Sequence, residues 1–280
     1  MTASAIQSRL PRTGTFLFMA VVLLIGGGAL TVWLPYHRNQ TAVAEIERLH
    51  GTTYEVVVRP AWIPGVVPDR SLEIFHRVRD VDFSYFPIRD ASLEHLQELP
   101  HLETLSLENT HISDAGLNRL QGLPQLEGLS LAETQISDAG LKYLSGLPHL
   151  EVLNLTNTRV SDVGLERLCG TTNFFSLNLS DTQISNAGLA HLRGQTNLDG
   201  LYLSNTRVDD GGLKELGKLT NLQRLTLNNT QVSDVGLEHL RRLTNLVDLH
   251  VEKTHVTQAG INELQKVLPV CNIRWTPPAE

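Results

Sequence analysis

The residues best equipped for chemistry are an aspartate that returns every 24 positions, eleven histidines and two cysteines. Asp114, Asp138, Asp162 and Asp234 each follow a serine, and a row of carboxylates is the raw material of a cation site. Calcium, however, gathers several oxygens from one loop, whereas each stretch of 24 residues here offers one. The histidines fall on the same period. His95, His191 and His239 share one place in the repeat, His101 and His149 a second, His111 and His255 a third, and no pair has metal-ligand spacing on one helix. Ser-His-Asp or Cys-His chemistry would need residues from separate repeats to converge, which requires matching places in the period. Gly116, Gly140, Gly164, Gly188, Gly212, Gly236 and Gly260 sit in neither a Walker nor a dinucleotide-binding pattern. The sequence therefore predicts no catalytic residues, no metal and no cofactor.

What positions these residues is the repeat itself. Copies begin at Val78, Leu102, Leu126, Leu150, Phe174, Leu198, Leu222 and Leu246, with a truncated ninth at Val270. Self-similarity at a fixed period of this size marks a solenoid, in which each coil buries its apolar side against its neighbours. Counting the first residue of a copy as offset 0, the apolar offsets 3 and 5 enclose a polar residue, as Leu153 and Leu155 enclose Asn154. That alternation is a short strand with one buried face, and strands running the same way in successive coils make a parallel sheet. Offset 8 is threonine in seven successive copies, Thr110 through Thr254, a column suited to satisfying backbone groups where the chain leaves the strand. The Ser-Asp pair at offsets 11 and 12 reads as a helix N-cap followed by an acid in the first turn. Leucines at offsets 15, 18 and 21 turn a short helix inward, and glycine at offset 14 gives close helix packing on the next coil.

The run Leu-x-x-Leu-x-Leu-x-x-Thr-x-Ile, as in residues 102–112, resembles the leucine-rich repeat signature, with threonine where that family commonly has asparagine or cysteine. The following Ile-Ser-Asp-Ala-Gly-Leu half resembles the variant of F-box-type adaptors and of membrane-anchored bacterial, internalin-like repeat proteins. The resemblance covers residues 78–275. It implies an α/β leucine-rich repeat solenoid with a curved parallel sheet on the concave side and short helices on the convex side. For function it implies a non-enzymatic scaffold that holds a ligand. Two cysteines, Cys169 and Cys271, lie more than four copies apart, on the order of 20 Å at about 4.8 Å per strand, beyond the roughly 7 Å a disulfide spans. They are expected to be free thiols.

The N-terminal part differs in kind. Phe16 to Leu34 holds no charge over 19 residues, about 28 Å as a helix, which matches a bilayer core. Trp33 and Tyr36 stand at its far end, and Arg9 and Arg12 precede it without a carboxylate, favouring a cytoplasmic N-terminus. A cleaved signal with Ala42-Val43-Ala44 at the cut is the rival reading. The expected organisation is a cytoplasmic segment 1–15, a transmembrane signal anchor 16–34, a capping region 41–77, repeats over 78–275 and a tail 276–280. In the cap, helical spacing over 42–49 precedes a β-rich run from Thr52 and a proline-rich stretch containing Trp62. The repeat domain would then lie outside the cytoplasm, periplasmic or at the cell surface. Residues 1–40 carry three arginines and no acid, so the chain's net −7 leaves −10 on residues 41–280. So acidic a domain is a poor match to nucleic acid.

The sheet's open face carries offsets 2, 4 and 6. Interfaces concentrate energy in Trp, Tyr and Arg, so Tyr202, Arg224 and His250, with Asn178 and Asn154 beside them, are the candidate contacts for an unknown protein or surface polymer. The competing roles are a self-associating structural element of the envelope and an intracellular F-box-like adaptor. The missing F-box and the apolar N-terminus argue against the latter.

Overall fold

The computed structural model describes residues 29–57, 76–169 and 173–277. Ten strands form one sheet in strict chain order. They are β1 (Thr52–Val57), β2 (His76–Asp82), β3 (Thr104–Ser106), β4 (Gly128–Ser130) and β5 (Val152–Asn154). The rest are β6 (Ser176–Asn178), β7 (Gly200–Tyr202), β8 (Arg224–Thr226), β9 (Asp248–Val251) and β10 (Asn272–Trp275). From β2 onward every pairing is parallel and in register, so that Leu105, Leu129 and Leu153 stand side by side. The wholly parallel sheet expected from the repeat needs one correction: β1 pairs antiparallel with β2. It belongs to no copy of the cassette, and a reversed strand can occupy an edge that needs no crossover.

The core is a set of columns. Offsets 0, 3, 5, 10, 15 and 18 are buried in coil after coil, and contact across coils builds one continuous apolar cluster. Between strands, short helices such as Asp138–Leu141, Asp162–Cys169, Asp210–Leu216 and Asp234–Leu240 form the opposite face, several continuing or giving way to 3₁₀ turns. Phe174, in place of the usual leucine, is fully buried, but Phe175 is 45% exposed and fills no core volume. Nor does the missing leucine at offset 21 leave a gap at position 195. Gln195 is buried, its Oε1 accepting from the Phe174 N–H (2.8 Å) and its Nε2 donating to the Cys169 carbonyl (3.2 Å).

Three features shape each coil and join it to the next. The Thr column behaves as a strand terminator: each Oγ1 donates to the offset-5 carbonyl three residues earlier, as Thr158 to Leu155 (2.7 Å). Just before it, offset 7 is left-handed in eight coils, with φ between 51° and 67°. Asn or Asp, which tolerate that region, fill five of them, and Tyr85, Glu133 and Lys253 the others. A second line of parallel bridges, such as Ser137 with Arg159, follows the turn. There the offset-9 N–H donates to the preceding coil's offset-10 carbonyl, as Arg159 to Ile136 (2.9 Å). Replacing Thr158 by valine is expected to cost about 1 kcal/mol by orphaning a buried carbonyl of similar shape, measured by denaturant unfolding.

The third feature gives the aspartates their role. Asp114 Oδ1 accepts from the Ser137 N–H (2.8 Å) and Oδ2 from the Ser137 hydroxyl (2.5 Å), one coil ahead. The same pairs join Asp90 to Ser113, Asp138 to Ser161, Asp162 to Ser185, Asp210 to Ser233 and Asp234 to Thr257. Each serine still caps its own helix, as Ser137 Oγ accepts from the Ala139 N–H (3.3 Å). The offset-14 glycine is explained by the same seam. A Cβ on Gly116, Gly188 or Gly260 would collide with the carboxylate of the preceding coil. At one junction the chemistry is exchanged: Asn186 takes the aspartate's place and Asp209 the serine's. Asn186 Nδ2 donates to Asp209 Oδ1 (2.6 Å) and its Oδ1 accepts from the Asp209 N–H (3.0 Å). Two facing carboxylates are thereby avoided.

The ends are covered differently. Helix α1 (Ala29–Arg48) lays Ala42 and Ile46 over the first coil, and Gly51 lets the Phe83 ring approach where a Cβ would lie 2.5 Å from it. Phe86 packs edge-on against His50, whereas Tyr85 is 66% exposed and donates to Glu108 Oε1 (2.5 Å) instead of capping. At the far end Trp275 Nε1 donates to the Val256 carbonyl (2.7 Å), while Val270, the start of the truncated copy, is exposed. Trp62 and most of the expected transmembrane segment 16–34 lie outside the described residues; 29–34 form the start of α1. Among the described residues no helix is long and apolar enough to cross a membrane.

Candidate functional site

A strand places alternate side chains on opposite faces, so burial of offsets 3 and 5 turns offsets 2, 4 and 6 outward. Exact register then converts positions 24 residues apart into neighbours. Asn154 pairs with Asn178, Asn178 with Tyr202, Tyr202 with Thr226 and Thr226 with His250. Four of the five predicted contacts thus form one row across β5 to β9, with Thr226 completing it. Arg224 belongs to the adjoining row, between Gly200 and Asp248.

The side chains differ in how firmly they are held. Asn154 is fixed at both ends: its Oδ1 accepts from the Thr156 N–H (3.1 Å) and hydroxyl (2.7 Å), and its Nδ2 donates to Ser130 Oγ (3.3 Å). Asn178 Oδ1 accepts from the Ser180 N–H (3.0 Å). Tyr202 is half-buried, its ring lying back along its own strand: a Cβ on Gly200 would meet Oη and Cε2 at 3.4 Å. Arg224 is not a free cation. Its Nη2 meets Asp199 Oδ2 at 2.5 Å, and that bond holds the guanidinium's pKa above its ordinary value. The face is therefore a pre-ordered polar surface with one aromatic and one anchored cation, the low-entropy kind of surface that favours binding.

Among the described residues no three His, Cys, Asp or Glu side chains gather to hold a metal. Cys169 and Cys271 are free, and burial pushes their thiols up to about 12 and about 11. At neutral pH both are therefore thiols rather than nucleophilic thiolates. Among the described residues one carboxylate is strongly shifted, on the helical face: Glu215 lies between Arg193 Nε (2.5 Å) and Lys218 Nζ (2.6 Å), which lower it to about 2. A depressed carboxylate contributes stability above the unfolded value of about 4.3, and that contribution fades as pH falls through about 2. An NMR titration of its side-chain carboxyl carbon should inflect near that value and move upward in Arg193→Ala; an inflection already in the ordinary carboxylate range would contradict the bridge.

The repeats themselves match known families. The leucine rich repeat model matches residues 100–160, and the two-copy leucine rich repeat model matches residues 196–242. The chain is a leucine-rich repeat protein. Its fold is similar to that of an internalin from Listeria monocytogenes, at 24% identity and TM-score 0.54 over 67% of this chain and 51% of that one. It is similar also to the leucine-rich repeat ectodomain of the Arabidopsis receptor kinase HAESA, solved in complex with an N-terminally extended peptide hormone ligand. There the identity is 22%, the TM-score 0.57, and the match covers 87% of this chain and 42% of that one. This leucine-rich repeat chain thus spans about half the length of these structures or less, and the likeness establishes the fold. No curated protein sequence matches it.

Sequence reasoning missed two parts of the surface. Phe175 is an exposed aromatic side chain at offset 1, on the edge where the chain enters the strands. Near β2, the acids Asp82, Glu108 and Glu133 surround Tyr85 and raise its phenol pKa, chiefly through the bond to Glu108. Phe175 at offset 1 and Tyr85 at offset 7 stand outside the alternation of the strand, so the outward offsets 2, 4 and 6 do not point to them.

Proposed function

We propose that this protein is a single-pass, membrane-anchored scaffold that captures a protein partner on the open face of its sheet, outside the cytoplasm. The observation that carries the reading is the in-register row Asn154, Asn178, Tyr202, Thr226 and His250, a continuous strip presented by five adjacent strands. The strip is built on a regular stack and its two asparagines are already hydrogen-bonded in place, which lowers the number of side chains a partner would have to order on docking. The peptide hormone ligand of the HAESA ectodomain supports a protein partner for a repeat array of this fold. Anchoring rests on the uncharged stretch 16–34 behind Arg9 and Arg12.

Affinity capture from native membranes with the full chain tests the surface. Tyr202→Ala with His250→Ala should reduce partner recovery about tenfold, a loss near 1.4 kcal/mol; an unchanged partner set would mean that another surface binds. Protease added outside spheroplasts should digest the repeats, and full protection would reverse the orientation.

A further inference from the structure

A second surface lies on the edge where the chain enters the strands, away from the Asn154–His250 row. There an open groove of about 510 Å³ runs along the solenoid. One wall is a column of offset-23 amides, Asn173, Asn197, Asn221 and Asn245. The other is the offset-1 column, Glu151, Phe175, Asp199 and Gln223. Backbone bonds from Phe175 N–H to the Glu151 carbonyl (2.8 Å) and from Asp199 N–H to the Phe175 carbonyl (2.9 Å) fix that column at one residue per coil.

The chemistry of the walls selects a ligand. Five of the eight side chains are primary amides, each able to donate and accept. Asn221 and Asn245 are anchored by donating to the Thr196 (2.7 Å) and Thr220 (2.9 Å) carbonyls, which leaves their amide oxygens to accept. Of the two carboxylates, Asp199 is already neutralised by Arg224, so the groove holds little unpaired charge for a cation. Phe175 presents a half-exposed ring inside this polar concavity. Hydroxyl groups, which also donate and accept, match such walls, and the C–H face of a sugar ring matches the phenyl.

We propose that this groove is a carbohydrate-binding cleft for a linear, neutral oligosaccharide lying along the solenoid, one ring stacked on Phe175 and its hydroxyls bonded to the asparagine column. The site stands whether or not the sheet face binds a protein. Saturation-transfer NMR on the full chain in nanodiscs, with cellohexaose, maltohexaose and chitohexaose and their disaccharides, tests it. At least one hexasaccharide should receive saturation at its ring C–H protons, more strongly than its disaccharide because the groove spans four coils. Phe175→Ala, at an exposed position, should weaken that signal about tenfold with the thermal midpoint unchanged, as loss of an aromatic anchor does. Glu238→Gln on the helical face should leave it intact. No transfer to any of the three sugars would overturn the proposal. So would an undiminished signal in Phe175→Ala, or salt-sensitive binding of an arginine-rich peptide in place of the sugars.

Discussion

Gly188→Ala is expected to destabilise the domain by about 2 kcal/mol, as overpacking a closed space does, although the position sits in a helix where alanine is ordinarily preferred. The added methyl would enter the space of the Asp162 carboxylate, which accepts from the Ser185 N–H (2.8 Å) and hydroxyl (2.6 Å). Asp162→Ala by itself should cost about 1–3 kcal/mol by stranding those donors. The decisive quantity is the double variant. With the carboxylate gone the methyl has room, so the two losses should fall short of their sum by about 1 kcal/mol or more, measured by urea unfolding. Strict additivity would mean that glycine is required for some other reason.

Phe174→Ala should have the larger effect, about 3–5 kcal/mol for emptying the volume of a buried aromatic. Phe174 is fully buried in the middle of the stack, and its N–H is tied to Gln195 at the end of the same coil. Because each coil contacts only its neighbours, the loss should be local before it is global. Hydrogen exchange should show protection falling first around β5, β6 and β7, with β2, β3 and β9 retaining theirs. A uniform fall across all strands would show instead that the array unfolds as one unit.

The coil was legible in the sequence because its information is local. Leu153 and Leu155 flank Asn154 within three residues, and the Thr column sits at a fixed step from the strand, so periodicity specified both burial and turn. What joins coils was less legible. Asp138 reads as a favourable first-turn acid of its own helix, and it is one, yet its carboxylate serves Ser161 in the next coil, a contact visible only once register places residues 23 apart together. The left-handed column has a signal in Asn109, Asn157, Asp181, Asn205 and Asn229, blurred by Tyr85, Glu133 and Lys253. The strand β1 is legible as the β-rich run from Thr52, but its antiparallel direction is not, since it lies outside the repeat. Of the predicted surface residues, the row was recoverable because matching offsets become neighbours. That Arg224 is bound to Asp199, and that Phe175 lines a groove, required the positions of side chains on adjacent coils.

The most direct measurement is photo-crosslinking in native membranes with p-benzoylphenylalanine at single positions of the full chain. Position 226 lies within the sheet-face row, between Tyr202 and His250. Position 163 lies on the helical face, where Val163 is exposed. Irradiation should yield a covalent protein adduct from position 226 and none from position 163. An adduct from 163 without one from 226 would place the partner on the opposite face and contradict the sheet as the binding surface.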